Sequence, residues 1–185
     1  MTTEKLRISV DIHDVLGGYI EHCIHEYGWP EKWMVPMTSM WPDVDWERHF
    51  RADNHAVFLD HLRLIPGAKE GLQRLAQSDL YEPFFFTATH GGGMDEKITR
   101  QWLRHHRFPN LEVLFGNGIE NKSRLLVTHE VDCDWVIDDH PWILQPLAKK
   151  RRPKSIVFDA PWNRDITTKY RAKTWKDVLA ILEVD

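Results

Sequence analysis

The apolar positions of this chain gather into five short runs, each bounded by turn residues: 6–11 (LRISVD), 83–89 (PFFFTAT), 112–116 (EVLFG), 134–139 (DWVIDD) and 155–159 (SIVFD). Between and after them the spacing becomes helical. Residues 68–77 follow Pro66-Gly67 and set Leu72, Leu75 and Ala76 on one face. Residues 95–106 align Ile98, Trp102 and Leu103, two shorter helical patterns cover 123–130 and 142–150, and 175–182 aligns Val178, Leu179 and Leu182. Strands alternating with helices predict an α/β fold with a mainly parallel sheet. Strands covered on both faces read as unbroken apolar runs, and FFF and WVI fit that rule.

The rhythm breaks at 17–64, a stretch rich in Trp, His, Met and Pro that reads as helical in pieces at 19–27, 45–50 and 55–62. A sheet of this kind needs no such insertion between its first strand and first helix. The predicted organisation is therefore a core of 1–16 and 65–185, with 17–64 as a small helical cap over the strand ends.

Composition narrows the classes. With 185 residues, 42% hydrophobic and 28% charged, the chain can build one globular domain with room for that insertion. A net charge of -4 argues against generic nucleic-acid binding. The basic run KKRRPK at 149–154 reads first as a helix C-terminus, where cations suit the dipole, and second as a phosphate contact. Cys23 and Cys133 stand in no metal-ligand spacing and suit a reducing compartment. No apolar run approaches the ~20 residues of a membrane span, and the N-terminus lacks a signal-peptide pattern. The expectation is a cytoplasmic protein with no membrane partner; no oligomeric state follows.

The chemistry gathers at the strand ends, where open α/β sheets bind their ligands. The first strand offers Asp11, His13 and Asp14, the second Thr87 and Thr89, and the fourth Asp138 and Asp139. Lys122 precedes the helix leading to the fourth strand. Acids, a hydroxyl and a lysine together can bind a hard cation and a phosphate, because Mg²⁺ prefers carboxylate, water and phosphate oxygens and Lys and Thr donors serve the remaining ones. Singly, each residue has a plainer use: helix cap, turn or surface.

The order and spacing of these residues resemble the haloacid dehalogenase superfamily, and within it the cytosolic 5'(3')-deoxyribonucleotidase (type C) family. The segments carrying the resemblance are VDIHDVL (10–16), IPGAKEGLQRL (65–75), FFTATH (85–90), NKSRLL (121–126), WVIDDHP (135–141) and VFDAPWNR (157–164). It implies a three-layer, Rossmann-like fold with a cap after the first strand, and a Mg²⁺-dependent phosphatase acting on a small phosphorylated substrate, a nucleotide. It places Asp11 as the nucleophile and Thr87 as a phosphate-binding hydroxyl, with Ala88 and Thr89 beside it. Lys122 stabilises the nucleophile and the developing charge. Asp138 is a metal ligand, and Asp139 a further ligand or its supporting partner. Residue 13 supplies a backbone carbonyl to the metal, and Asn163 and Arg164 could reach the substrate.

One position departs from the pattern. The family places a second aspartate where this chain has His13, and that aspartate protonates the leaving oxygen and then activates water. Three outcomes are open: His13 does this acid–base work, hydrolysis slows and leaves a phosphotransferase or weak phosphatase, or the site only binds nucleotide. Asp14 stands one residue too late to replace the missing acid without breaking the strand–loop geometry. Two readings outside the family weigh less. His13-Asp14 as a metal-binding pair would need a helix, and ISV before it says strand; the histidines at 22, 25, 49, 55 and 61 show no recurring spacing with an acid. Trp29, Trp33, Trp41 and Trp46 suit burial of the cap, with stacking on a nucleobase as the second use.

Overall fold

The structure is a computed structural model and describes residues 4–21, 62–89 and 93–184. Six strands form one sheet: β1 (Leu6–Val10), β2 (Tyr81–Thr89), β3 (Val113–Asn117), β4 (Trp135–Asp138), β5 (Lys154–Phe158) and β6 (Arg171–Ala172). Their order is β3-β2-β1-β4-β5-β6, with every pairing parallel. Connections run outward from β1 on both sides, so the crevice for a ligand lies where β1 and β4 adjoin.

Among the described residues five helices flank the sheet: α1 (Ala68–Gln77), α2 (Gly93–His105), α3 (Gly118–Val127), α4 (Pro141–Ala148) and α5 (Trp175–Ile181). The run FFF shows why both faces need cover. Phe85 joins the cluster of Ile8, Val10, Leu72, Trp102, Ile137 and Trp175 under α1, α2 and α5. Its neighbours Phe84 and Phe86 join Leu126, Val136, Ile143 and Leu147 under α3 and α4. Successive side chains of a strand point to opposite faces, and burying each large one contributes roughly 1.5–3 kcal/mol. In α1 the buried positions Ala68, Gly71, Leu72 and Leu75 recur at helical spacing. Gly71 lies so close to Trp175 of α5 that a Cβ there would stand 2.7 Å from Trp175 Cε3.

Outside 17–64 the expected strands and helices are all present, with ends shifted by a few residues; the helical pieces expected at 19–27, 45–50 and 55–62 lie, apart from 19–21 and 62, outside the described residues. Three differences stand out, and the first two have physical reasons. Helix α3 starts at Gly118, so Lys122 lies inside it rather than before it; Gly118 has φ 80° and turns the chain straight from β3 into the helix. The two-residue strand β6 carries too short a pattern to announce itself, yet it pairs with β5 through Val157↔Arg171 and Phe158↔Ala172. A single 3₁₀ turn, Pro161–Asn163, follows β5. In the basic run, α4 ends at Ala148, Lys150 donates to the Val127 carbonyl at 3.2 Å and Arg152 pairs with Asp134 at 2.9 Å. Those contacts match the helix-terminus reading.

The two ends of the insertion meet. Gly17 pairs with Leu64 in an antiparallel bridge, Gly18 donates to the Arg63 carbonyl at 2.9 Å and Ile65 to the Leu16 carbonyl at 2.8 Å. The four tryptophans and five histidines singled out in the insertion, and Cys23, lie outside the described residues.

Candidate active site

Strand β1 ends at Val10, and the Asp11 amide makes one more ladder bond, to the Ile137 carbonyl at 3.0 Å. The chain then curls. The Ile12 carbonyl accepts from both Leu16 (2.9 Å) and Gly17 (3.0 Å), with Ile12, Val15 and Leu16 buried as anchors. Asp14 sits in the left-handed region at φ 54°. Its carboxylate accepts from the Ile20 amide at 3.1 Å, capping the start of the insertion. Burial pushes the Asp14 carboxyl up to about 7, against the pull of the Ile20 and Tyr19 amides and with help from the charges of Asp11 and Glu21. His13 is half-buried, its ring 5.0 Å from the ring of Tyr19.

Lys122 enters from α3 because β3 lets it come close. Gly116, at the end of β3, lies so near that a Cβ there would meet Lys122 Cβ at 2.8 Å. The ammonium of Lys122, a residue 2% exposed, donates to Asp11 Oδ1 at 2.6 Å and to Asp138 Oδ2 at 2.8 Å. Burial alone would lower its pKa, but the carboxylates of Asp11 and Asp138 outweigh burial and hold it above the usual lysine range. The other oxygen of Asp138 accepts from the His140 amide at 2.8 Å.

Asp11, Asp138 and Asp139 are all buried, and each places a carboxylate oxygen within 4.8 Å of the others. Three acids against one lysine leave the cluster acid-rich. Burial raises the carboxyls of Asp138 and Asp139, the second well above the ordinary range with Asp14, Asp138 and Asp11 adding repulsion. Excess buried carboxylate is relieved either by holding protons or by a hard cation. The donor set, all oxygen and clustered, fits Mg²⁺.

Thr87 on β2 is fully buried, and its hydroxyl has no hydrogen-bond partner among the described residues. Buried hydroxyls are nearly always satisfied, so an orphan here is a donor that a ligand oxygen could take. Ala88 follows it half-buried, and Thr89 closes the strand.

One expectation changes. Asn163 is fully buried and its amide is consumed by protein: Nδ2 donates to the carbonyls of Asp139 and Phe158, both at 2.8 Å, while Oδ1 accepts from the Ala160 amide at 3.1 Å and from Arg171 at 2.8 Å. With both ends of the amide engaged, Asn163 holds the strand ends together instead of reaching outward. Arg164, just after the 3₁₀ turn, is exposed. Arg171, which no sequence motif marks, grips Asn163 and also pairs with Asp159 at 2.7 Å. A lone arginine on a two-residue strand carries no pattern that could have announced it.

Comparisons with known proteins agree with this geometry. The family profile described as 5' nucleotidase, deoxy (pyrimidine), cytosolic type C protein matches residues 8–184. A protein of Oceanobacillus iheyensis, provisionally named a nucleotidase, is 28% identical over 126 residues, covering 66% of this chain and 63% of its own. A Bordetella pertussis protein, provisionally named a 5'(3')-deoxyribonucleotidase, is 31% identical over 134 residues, covering 66% of this chain and 62% of its own. The match thus spans a little under two thirds of each relative's length. Among solved structures, a haloacid dehalogenase hydrolase from Bacillus subtilis, bound to magnesium, shares the fold with a TM-score of 0.58 and 10% identity over 98% of this chain and 100% of its own. By its sequence from strand β1 through helix α5, this chain belongs to the family of cytosolic type C 5'-deoxynucleotidases, on the haloacid dehalogenase fold.

Proposed function

We propose that the protein is a Mg²⁺-dependent phosphomonoesterase acting on a nucleoside monophosphate or a similar small phosphate. The observation that carries this reading is the buried Lys122 ammonium held between Asp11 and Asp138. It puts a fixed positive charge beside a carboxylate nucleophile, with the Thr87 hydroxyl on the neighbouring strand. Asp11, Asp138, Asp139 and the residue-13 carbonyl would hold the cation, which when bound would offset the charge of the phosphoryl oxygens. An Asp11 oxygen attacks phosphorus, and the ester oxygen departs with a proton. Water then cleaves the aspartyl-phosphate and frees inorganic phosphate. Lys122 and Thr87 serve the equatorial oxygens, where preorganised donors are most effective.

His13 is assigned the proton transfers, at the residue where the related pattern has an acid. Residues 17–64 are assigned as the cap that selects the leaving group, since their two ends meet at Gly17 and Leu64 beside the nucleophile loop. A cytoplasmic location belongs to the same reading: it rests on the family's description, and no helix among the described residues is long and apolar enough to cross a membrane.

The test is phosphate release from a panel of nucleoside monophosphates with Mg²⁺. Wild type is expected to turn over at least one, and Asp11→Asn to lose about three orders of magnitude or more. His13→Asp should preserve or raise the rate. His13 also favours a second reading, a phosphate-binding protein without hydrolysis; it stands if no substrate turns over in wild type but His13→Asp releases phosphate.

A further inference from the structure

Asp139 is gripped at both ends by one short turn. At its backbone, the carbonyl accepts from Asn163 Nδ2 at 2.8 Å. At its side chain, Oδ2 accepts from the indole nitrogen of Trp162 at 2.7 Å. Both residues belong to the 3₁₀ turn Pro161–Asn163, which Arg171 fastens to β6 by donating to Asn163 Oδ1 at 2.8 Å, to the Asn163 carbonyl at 3.0 Å and to the Ile166 carbonyl at 2.8 Å. Trp162 is 7% exposed, so its indole is a fixed part of the wall.

The kind of donor matters. Lys122 serves Asp11 and Asp138; the side chain that donates to Asp139 is, among the described residues, the indole. An indole N–H can only donate, carries no charge and does not titrate. It therefore steadies a buried carboxylate without placing a positive charge where a cation would bind. Rotation about the last bond of an aspartate is otherwise loosely restrained, so the hydrogen bond also decides which oxygen stays free.

We infer that Trp162 is a positioning residue for the cation site: its indole holds Asp139 Oδ2 so that Oδ1 is presented toward the oxygens of Asp11 and Asp138. The inference rests on the reading of that cluster as a Mg²⁺ site, not on turnover. Outer partners of metal ligands change affinity about 10–100-fold when removed. Trp162→Phe keeps the ring and deletes the donor.

The experiment is calorimetric titration of Mg²⁺ into the full chain, as wild type, Trp162→Phe, Asp139→Asn and the double variant, without substrate. Trp162→Phe is expected to weaken Mg²⁺ about 10–100-fold, and to weaken it no further once Asp139 is Asn. A Trp162→Phe protein that binds Mg²⁺ like wild type overturns the inference. So does a loss that persists undiminished in the Asp139→Asn background, since a merely structural role would act there too. Should Trp162→Phe not fold, the wild-type chain still decides: the Trp162 indole N–H resonance is expected to shift on adding Mg²⁺, and a resonance that stays put overturns the inference. Wild type that binds no Mg²⁺ sinks both this and the metal site. Weakened binding in Trp162→Phe, with no phosphate released by wild type, upholds the inference and removes the phosphatase.

Discussion

The two ends of the parallel sheet both carry charged side chains and treat them in opposite ways. At the end where β1 begins, Arg7 meets Glu112 at 2.9 Å and the Asp132 carbonyl at 2.9 Å, Arg152 pairs with Asp134 at 2.9 Å, and Lys154 lies over the Trp135 ring. Those pairs are wet, with Arg152 56% and Glu112 54% exposed at the side chain. Arg7 and Arg152 each face an acid there, and Lys154 faces an aromatic ring. At the other end, Asp11, Asp138 and Asp139 are buried, and among the described residues Lys122 is the cation that pairs with Asp11 and Asp138. Exposed pairs of the first kind contribute about 0–1 kcal/mol each. Buried charges of the second kind cost several kcal/mol per ion before their partners repay it. With three carboxylates beside one ammonium, the buried end holds more acid than base.

Breaking the buried end should have the largest effect. Lys122→Met leaves Asp11 and Asp138 facing each other without their cation. It is expected to cost about 3–5 kcal/mol and to lower Tm by on the order of 10 °C, with added Mg²⁺ restoring part of the loss. Calorimetric melting with and without Mg²⁺ checks this; an unchanged Tm would mean that the lysine is not the counter-charge of the cluster.

An intermediate effect concerns pH. The Asp14 carboxyl is raised by burial to about 7 in the folded chain, against 3.8 as its ordinary value. The folded state therefore holds a proton that the unfolded state has lost, and the metal-free protein loses stability as pH rises from about 4 to about 7. Asp14→Asn keeps an acceptor for the Ile20 amide and removes the titration. Its melting temperature should change less between pH 5 and pH 8 than that of wild type, by a few degrees. Equal slopes in the two proteins would show that Asp14 is ionised throughout.

The smallest effect should come from the wet end. Arg7→Met keeps an aliphatic stem over Phe84, whose ring centroid lies 4.6 Å from the Arg7 guanidinium. It is expected to change stability by no more than about 1 kcal/mol and to leave phosphate release untouched. A loss as large as that of Lys122→Met would erase the distinction between the two ends.

Much of the frame was legible along the chain. FFF, WVI and SIV announce strands covered on both faces because a parallel sheet leaves no polar side, and the helix at Ala68–Gln77 runs over the residues its spacing indicated. The end of β6 and the start of α3 were not legible. A two-residue strand has no period, and the turn at Gly118 depends on a backbone angle of φ 80° that glycine permits without advertising.

The site divides in the same way. Which residue types could do phosphoryl chemistry was readable for Asp11, Thr87, Asp138 and Asp139 from their places at strand ends, because the end of each buried strand is where its polar residues must surface, and for Lys122 from its order among them. Who partners whom was not. That Lys122 spans Asp11 and Asp138 depends on Gly116 yielding space between β3 and α3. That Asn163 turns inward, and Trp162 holds Asp139, depends on β6 and the 3₁₀ turn folding back over β5. Sequence by itself determined the sheet and its cargo of acids, since burial patterns are local. Only the tertiary structure decided how those acids are paired, because hydrogen-bond partners 16 to 111 residues apart along the chain are chosen by packing and not by spacing.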